Sequence, residues 1–202
     1  MAAFHPDMDV PEAAGPADRD TTPFSVGYQI DDHDRIVAVT DTWADFAVAN
    51  DASHLCEGIL ERSLWEFIGD SRTRELYQAL LARVRAGQPA RFPFRCDAPA
   101  VRRFMRMTMT PTHAGGVRFD SVLLRAEPRT PQWSLSVLPG KHATMLTACG
   151  WCNRIAVADA WEEIEVAVER LGLFGDTAST SLTHGICPAC VTGFFGRLQA
   201  AD

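Results

Sequence analysis

Two pairs of cysteines constrain this chain more than any other feature. Cys149-Gly150-Trp151-Cys152 and Cys187-Pro188-Ala189-Cys190 are CxxC turns, with 34 residues between Cys152 and Cys187. Each turn presents two thiolates to one ion, and zinc takes four ligands in a tetrahedron. The expected metal ligands are therefore Cys149, Cys152, Cys187 and Cys190, and the expected cofactor is Zn. Four thiolates leave the ion no open position, so hydrolytic zinc catalysis is not expected. Iron in a rubredoxin-like setting stays open as an alternative, although such knuckles usually carry Gly after the second Cys, where Asn153 and Val191 stand here. Haem attachment needs a His after the pair, and neither pair has one. A thioredoxin-type redox pair would need a βαβ context that is missing.

A short segment that cannot build a large core gains much of its folding free energy from such an ion. A helix is expected over 159–171, turning Trp161, Ile164, Val168 and Leu171 inward. A closing helix would do the same with Val191, Phe194, Phe195 and Leu198. Pro188 suits the first helical position, which puts Cys187 at a helix N-terminus, where backbone N–H groups favour the thiolate. Zinc with four thiolates carries a site charge of about −2. Arg154 or the His184-Gly185 backbone is the expected offset, and the role of His184 stays open between assisting the metal and shaping the turn.

Upstream, residues 1–22 hold Pro6, Pro11, Pro16 and five acids, which predicts a disordered acidic tail. Residues 28–30 and 35–39 are short strand-like runs around the polar turn Asp31-Asp32-His33-Asp34, which predicts a hairpin. Asp41-Thr42 starts a helix carrying Trp43, Phe46, Ala47 and Asn50, and Ser63 caps a short turn over 64–68. A longer helix runs from Ser71 with a stripe of Leu76, Leu80, Leu81 and Val84, stopping at Gly87 and Pro89. Three strands follow, over 91–96, 103–110 and 117–126, with Pro93 marking an edge or bulge and Met105, Met107 and Met109 sharing one face. Strands, then helices, then strands describe an antiparallel sheet with helices on one side, an α+β domain.

That element order, with the Leu64-Trp65-Glu66-Phe67-Ile68 turn before the long helix, resembles the PAS family of sensor domains over roughly residues 24–128. The resemblance implies a PAS-like five-stranded antiparallel sheet with helices over one face, often around a pocket, in a domain that binds a small molecule or a partner and passes a signal onward. Residues 129–143 then read as a linker, and 144–202 as a small C-terminal helical zinc-binding module after a PAS-like domain at 23–128.

The last segment, from Ala148 to Leu198, resembles a cysteine module that bacteria attach to PAS and receiver domains. The shared residues are Cys149, Trp151, Cys152, Ile155, Trp161, His184, Gly185, Ile186, Cys187, Pro188 and Cys190. Asn153-Arg154 departs from a common Lys-rich pair, and the loop over 172–183 is long. The resemblance implies a metal site and a signalling context rather than a reaction.

In the PAS-like part, His54, Cys56 and Cys96 are lone residues of the kind that fill surfaces and cores more often than they bind, and the long helix holds no His to ligate haem. The flavin-binding cysteine motif does not match residues 54–60 either, so no pocket cofactor can be named. No nucleophile–base pair and no Gly-rich phosphate loop stands out, so the chain is not expected to be an enzyme. The net charge is −7, and 18 of the 19 basic residues are Arg, a balance that argues against nucleic-acid binding. No run of apolar residues approaches the ~20 needed to span a bilayer, and no basic start with an apolar core marks a secretory signal. A cytoplasmic location is expected, with reduced thiols.

Nine Arg fall between Arg72 and Arg106 against only Glu75 and Asp97. A solvated face explains them, but they also offer a surface for an acidic partner through Arg95, Arg103 and Arg106. The leading expectation is a cytoplasmic signalling protein that acts through another signalling protein or through a second copy of itself as a homodimer, with room for a small-molecule ligand in the PAS-like pocket. The alternative is a redox or metal sensor whose cysteine cluster is itself the switch.

Overall fold

The computed structural model describes residues 24–50, 52–98, 100–129, 143–171 and 179–199. The expected tail over 1–22, and all but the ends of the expected linker over 129–143, lie outside the described residues.

The hairpin forms as its turn residues dictate. Strands β1 (Ser25–Ile30) and β2 (Ile36–Val39) run antiparallel. The Asp31 carboxylate accepts the backbone N–H groups of His33 and Arg35 at 2.9 and 2.8 Å, while Asp34 takes a left-handed φ of 61°. A short Asp or Asn side chain stabilises such a turn by bonding the backbone two residues on. Helix α1 (Trp43–Val48) follows. The Ser63 turn forms a full capping box, because the Glu66 carboxylate accepts the Ser63 N–H in return. Helix α2 (Ser71–Arg85) starts where Asp70 caps the Thr73 N–H at 2.7 Å, and it buries Leu76, Leu80, Leu81 and Val84.

Strands β3 (Ala90–Arg95), β4 (Val101–Pro111) and β5 (Val117–Pro128) complete an antiparallel sheet in the order β2-β1-β5-β4-β3. Ile30, Met107, Met109, Val117 and Phe119 turn one face of it toward the α2 stripe, and the Tyr28 and Phe119 rings stack at 4.4 Å. This is the α+β, PAS-like architecture expected from the sequence. Pro93 sits on edge strand β3, two residues before Arg95, whose N–H points away from β4. Residues two apart aim their N–H groups the same way, so the donor that Pro93 lacks costs the sheet nothing.

The C-terminal part has a sheet as well as helices. Strands β6 (Ala143–Cys149), β7 (Ile155–Val157), β8 (Ala160–Glu162) and β9 (Ser179–Gly185) lie in the order β8-β7-β6-β9, with β6 and β9 parallel. Helix α3 is Ile164–Arg170 and helix α4 is Pro188–Gln199. The helix expected over 159–171 therefore begins later than the apolar spacing suggested. Ala158 at φ 50° turns the chain, and Trp161 pairs with Ala156 as strand rather than helix. Val168 is buried as expected, whereas Leu171 is exposed at the end of α3. Part of the expected long loop is likewise strand, from Ser179 onward. Among the described residues, no helix is long and apolar enough to cross a membrane.

Candidate metal centre

Backbone geometry delivers the four sulfurs to one point. Strand β6 ends at Cys149, and the chain reverses through Asn153, at φ 57°, a left-handed position that Asn tolerates better than most residues. Cys149 N–H donates to the Arg154 carbonyl at 2.7 Å, and Asn153 N–H to the Cys149 carbonyl at 2.9 Å, which closes the first knuckle. Parallel pairing sets Cys149 opposite Gly185, and Gly150 N–H donates to the Gly185 carbonyl at 2.8 Å. Strand β9 thereby brings Cys187 alongside. Pro188 opens α4 as expected, and Cys190 follows within its first turn.

The sulfurs of Cys149, Cys152, Cys187 and Cys190 all lie within 4.8 Å of one another, and all four residues are buried. A tetrahedral zinc centre with bonds of about 2.3 Å spaces its sulfurs by about 3.8 Å. Cys152 Sγ and Cys187 Sγ stand 3.7 Å apart. Two backbone N–H groups already point at sulfur: Cys187 N–H at Cys149 Sγ and Cys190 N–H at Cys187 Sγ, both at 3.4 Å. Such donors favour thiolate over thiol and orient the sulfur for a metal. The donor set fits a divalent ion.

Crowding divides the thiols electrostatically. Hydrogen bonds from the thiols of Cys152, Cys187 and Cys190 hold Cys149 well below the ordinary thiol pKa. Cys190, pressed by the same neighbours and by burial, is pushed far above it. The cluster gives up a first proton readily and resists the last, because each further thiolate meets the charge of those before it. A cation among the sulfurs relieves that repulsion.

Trp151, between the two cysteines of the first knuckle, is buried in the PAS-like core. Its ring stacks on Phe92 at 4.7 Å and 21°, and the half-buried Tyr77 of α2 packs against the same cluster. Its carbonyl accepts the edge N–H of Arg95 at 2.6 Å. Burial raises the Tyr77 phenol pKa, and an interaction with the Trp151 side chain works the other way.

The Arg-rich stretch is largely spent inside the molecule. The Arg95 guanidinium pairs with Asp97 and donates to both oxygens of Glu163 at 3.0 and 2.9 Å. Arg102 reaches Glu163 and Glu165 at 3.4 Å each, and Arg129 reaches Asp97 at 3.4 Å and Glu165 at 3.7 Å. Arg103 donates to the Cys96 carbonyl at 2.8 Å and to the side chain of Asn50. As a surface for an outside partner, Arg95 and Arg103 are therefore a correction: the acids that Arg95 meets belong to this chain. Arg106, on β4, is half-buried.

Other expected residues fall elsewhere. His184 is exposed on β9, and Arg154 Nε donates to Glu163 at 3.0 Å rather than standing ready as a charge offset. His54 is exposed, Cys56 bonds the Ala44 carbonyl, and the Cys96 thiol pKa is raised by burial. Among the described residues, none of these three joins a cluster of metal-binding groups. A small open groove lies against Gly27, Gln29, Ala38 and Arg118. Gln29 pairs with both Ala38 and Arg118, which places the groove on the sheet face opposite Phe119 and α2.

Glu163 and Trp151 anchor the cysteine module to the first unit, a role that no motif around them announces. The available signal was a large aromatic held between two ligand positions, and an acidic run 162–165 matching the one-sided Arg run.

No family model matches the chain, and no curated protein matches it. Among solved structures, a domain of an HTR-like protein from Haloarcula marismortui ATCC 43049 matches with 11% identity and a TM-score of 0.37, covering 50% of this chain and 98% of that one.

Proposed function

We propose that the chain is a cytoplasmic signalling protein in which a PAS-like sensing or interaction unit is joined to a structural zinc site held by Cys149, Cys152, Cys187 and Cys190. It works through another protein or a second copy of itself and not by catalysis. The observation that carries the metal reading is the convergence of two sequence-distant CxxC turns on one buried point, with sulfurs within 4.8 Å. The signalling reading rests on the PAS-like architecture and on the resemblance of the cysteine segment to modules attached to such domains.

The redox-switch alternative asks for exposed thiolates, since reactive cysteines are accessible ones. Cys149 and Cys187 are 0% and 1% exposed, which weighs toward the structural role. Metal analysis and an absorption spectrum of the purified chain test the site. One zinc per chain in a colourless protein that keeps its metal in mild peroxide supports the proposal. A strong visible band points to iron, and reversible metal loss in peroxide to the switch. Light scattering on the same sample distinguishes a dimer from a monomer awaiting another partner.

A further inference from the structure

We propose that the cysteine module is a metal-dependent clamp on the PAS-like unit, so that occupancy of the four-cysteine site controls the order of edge strand β3. The inference rests on the metal reading above and assigns that site a regulatory consequence.

Three contacts grip β3, and they come from different directions. On the inner face, Trp151 stacks on Phe92 within the cluster that also holds Leu80, Met109 and Phe119. Along the edge, the Trp151 carbonyl takes the Arg95 N–H at 2.6 Å. Arg95 is three residues from Phe92, so its side chain leaves the opposite face, where Glu163 holds it. An unpaired sheet edge is otherwise open to other chains. Here the knuckle occupies that edge at Arg95.

Trp151 cannot move independently of the metal site. It lies between two of the four ligands, in a turn of four residues fixed at both ends by sulfur. The ion joins that turn to Cys187 and Cys190, hence to β9 and α4. Without the ion, four thiolates or thiols crowd one buried point with nothing to balance them, and the knuckle loses the constraint that aims Trp151 at Phe92. Cys149, Cys152, Cys187 and Cys190 fall in the same apolar cluster as the α2 stripe, so the metal site and the first unit share one core. Metal loss is then felt in β3 and, through Tyr77, at α2.

Hydrogen exchange on the full chain tests this, with zinc as the probe. Zinc-loaded protein and protein stripped by a chelator are compared peptide by peptide. The expected result is exchange at least tenfold faster over 90–96 in the stripped protein, while β1 and the middle of β5 keep their protection. Unchanged exchange over 90–96, with deprotection confined to the two knuckles, overturns the clamp and leaves the metal site standing. A chain that takes up no zinc overturns both readings. Should stripping unfold the whole chain, Trp151→Ala decides the matter, since it keeps all four ligands. It should bind one zinc and still lose protection over 90–96, and full protection there would refute the clamp.

Discussion

Arg95 and Glu163, 68 residues apart in sequence, meet through hydrogen bonds of 3.0 and 2.9 Å from one guanidinium nitrogen to both carboxylate oxygens. The Arg95 side chain is 5% exposed, and its other partner, Asp97, is equally buried. Asp97 also accepts the Arg103 N–H at 3.1 Å and faces Arg129, so one buried carboxylate ties the ends of β3, β4 and β5 together. Glu163 extends the network into the cysteine module at the start of α3. The two units are joined by a buried guanidinium and partly buried carboxylates, in an arrangement that resists partial loss.

Arg95→Ala should be the most damaging single change at this junction. It leaves Asp97 and Glu163 without their main cation, and breaking a buried pair typically costs about 3–5 kcal/mol. Glu163→Gln keeps the shape and one acceptor, and should cost about 1–2 kcal/mol. Urea unfolding of both single variants and the double variant gives the coupling. A double variant whose loss equals the sum of the singles would show that the two residues do not act as a pair.

Acid should loosen the junction before it unfolds the first sheet. Burial pushes the Glu163 carboxyl up, but bonds from Arg95 and Arg154 and the charge of Arg102 outweigh it, so its pKa falls below the ordinary 4.5. A carboxylate with a depressed folded pKa contributes stability above its unfolded value and loses it as pH falls through the folded value. The Glu163 contribution is therefore full above about pH 5 and fades below 4.5. Exchange at the Arg95 amide, followed from pH 6 to pH 3.5, should show the fade in the native protein and not in Glu163→Gln.

Gly27 tests the sheet itself. A Cβ added there would sit 2.4 Å from the Phe119 carbonyl oxygen, where neighbouring backbone cannot yield. Gly27→Ala should destabilise the PAS-like unit by about 1–3 kcal/mol, in the range of other overpacked sites. Gly69→Ala has open space around its Cβ and is the matched control. Equal thermal midpoints for the two variants would contradict the packing argument.

What the sequence revealed tracks how local each signal was. The Asp31 turn, the Ser63 cap and the α2 stripe are decided within a few residues, and each forms as read. The two CxxC turns were legible because sulfur ligation is written in residue identity rather than in contacts. Trp161 was not legible. Its spacing to Ile164 and Val168 mimics a helical stripe, while the turn at Ala158 that makes it strand carries no Gly or Asn to announce it. The role of the Arg run was hidden for a different reason. Nine Arg against only Glu75 and Asp97 read as a solvated face or a surface for an acidic partner, and only the fold shows that Arg95 spends its charge on an acid from the next unit.

Of the four cysteines proposed to hold zinc, Cys187 is the one whose loss should be felt most widely. Its sulfur lies 3.7 Å from Cys152 Sγ and accepts the Cys190 N–H, while its own N–H donates to Cys149 Sγ, so it touches each of the other three ligands. Cys187→Ser replaces a soft thiolate by a hydroxyl that stays protonated and binds zinc poorly. Apparent zinc-binding energies in small modules exceed about 10 kcal/mol, so even partial loss removes several kcal/mol of stability. At about 2–4 °C per kcal/mol for a chain of this size, the thermal midpoint should fall by roughly 6–12 °C. Zinc content should drop below half an ion per chain, while Cys96→Ser, whose thiol is outside the cluster, keeps one. A Cys187→Ser protein that retains a full zinc and an unshifted midpoint would place the ion elsewhere.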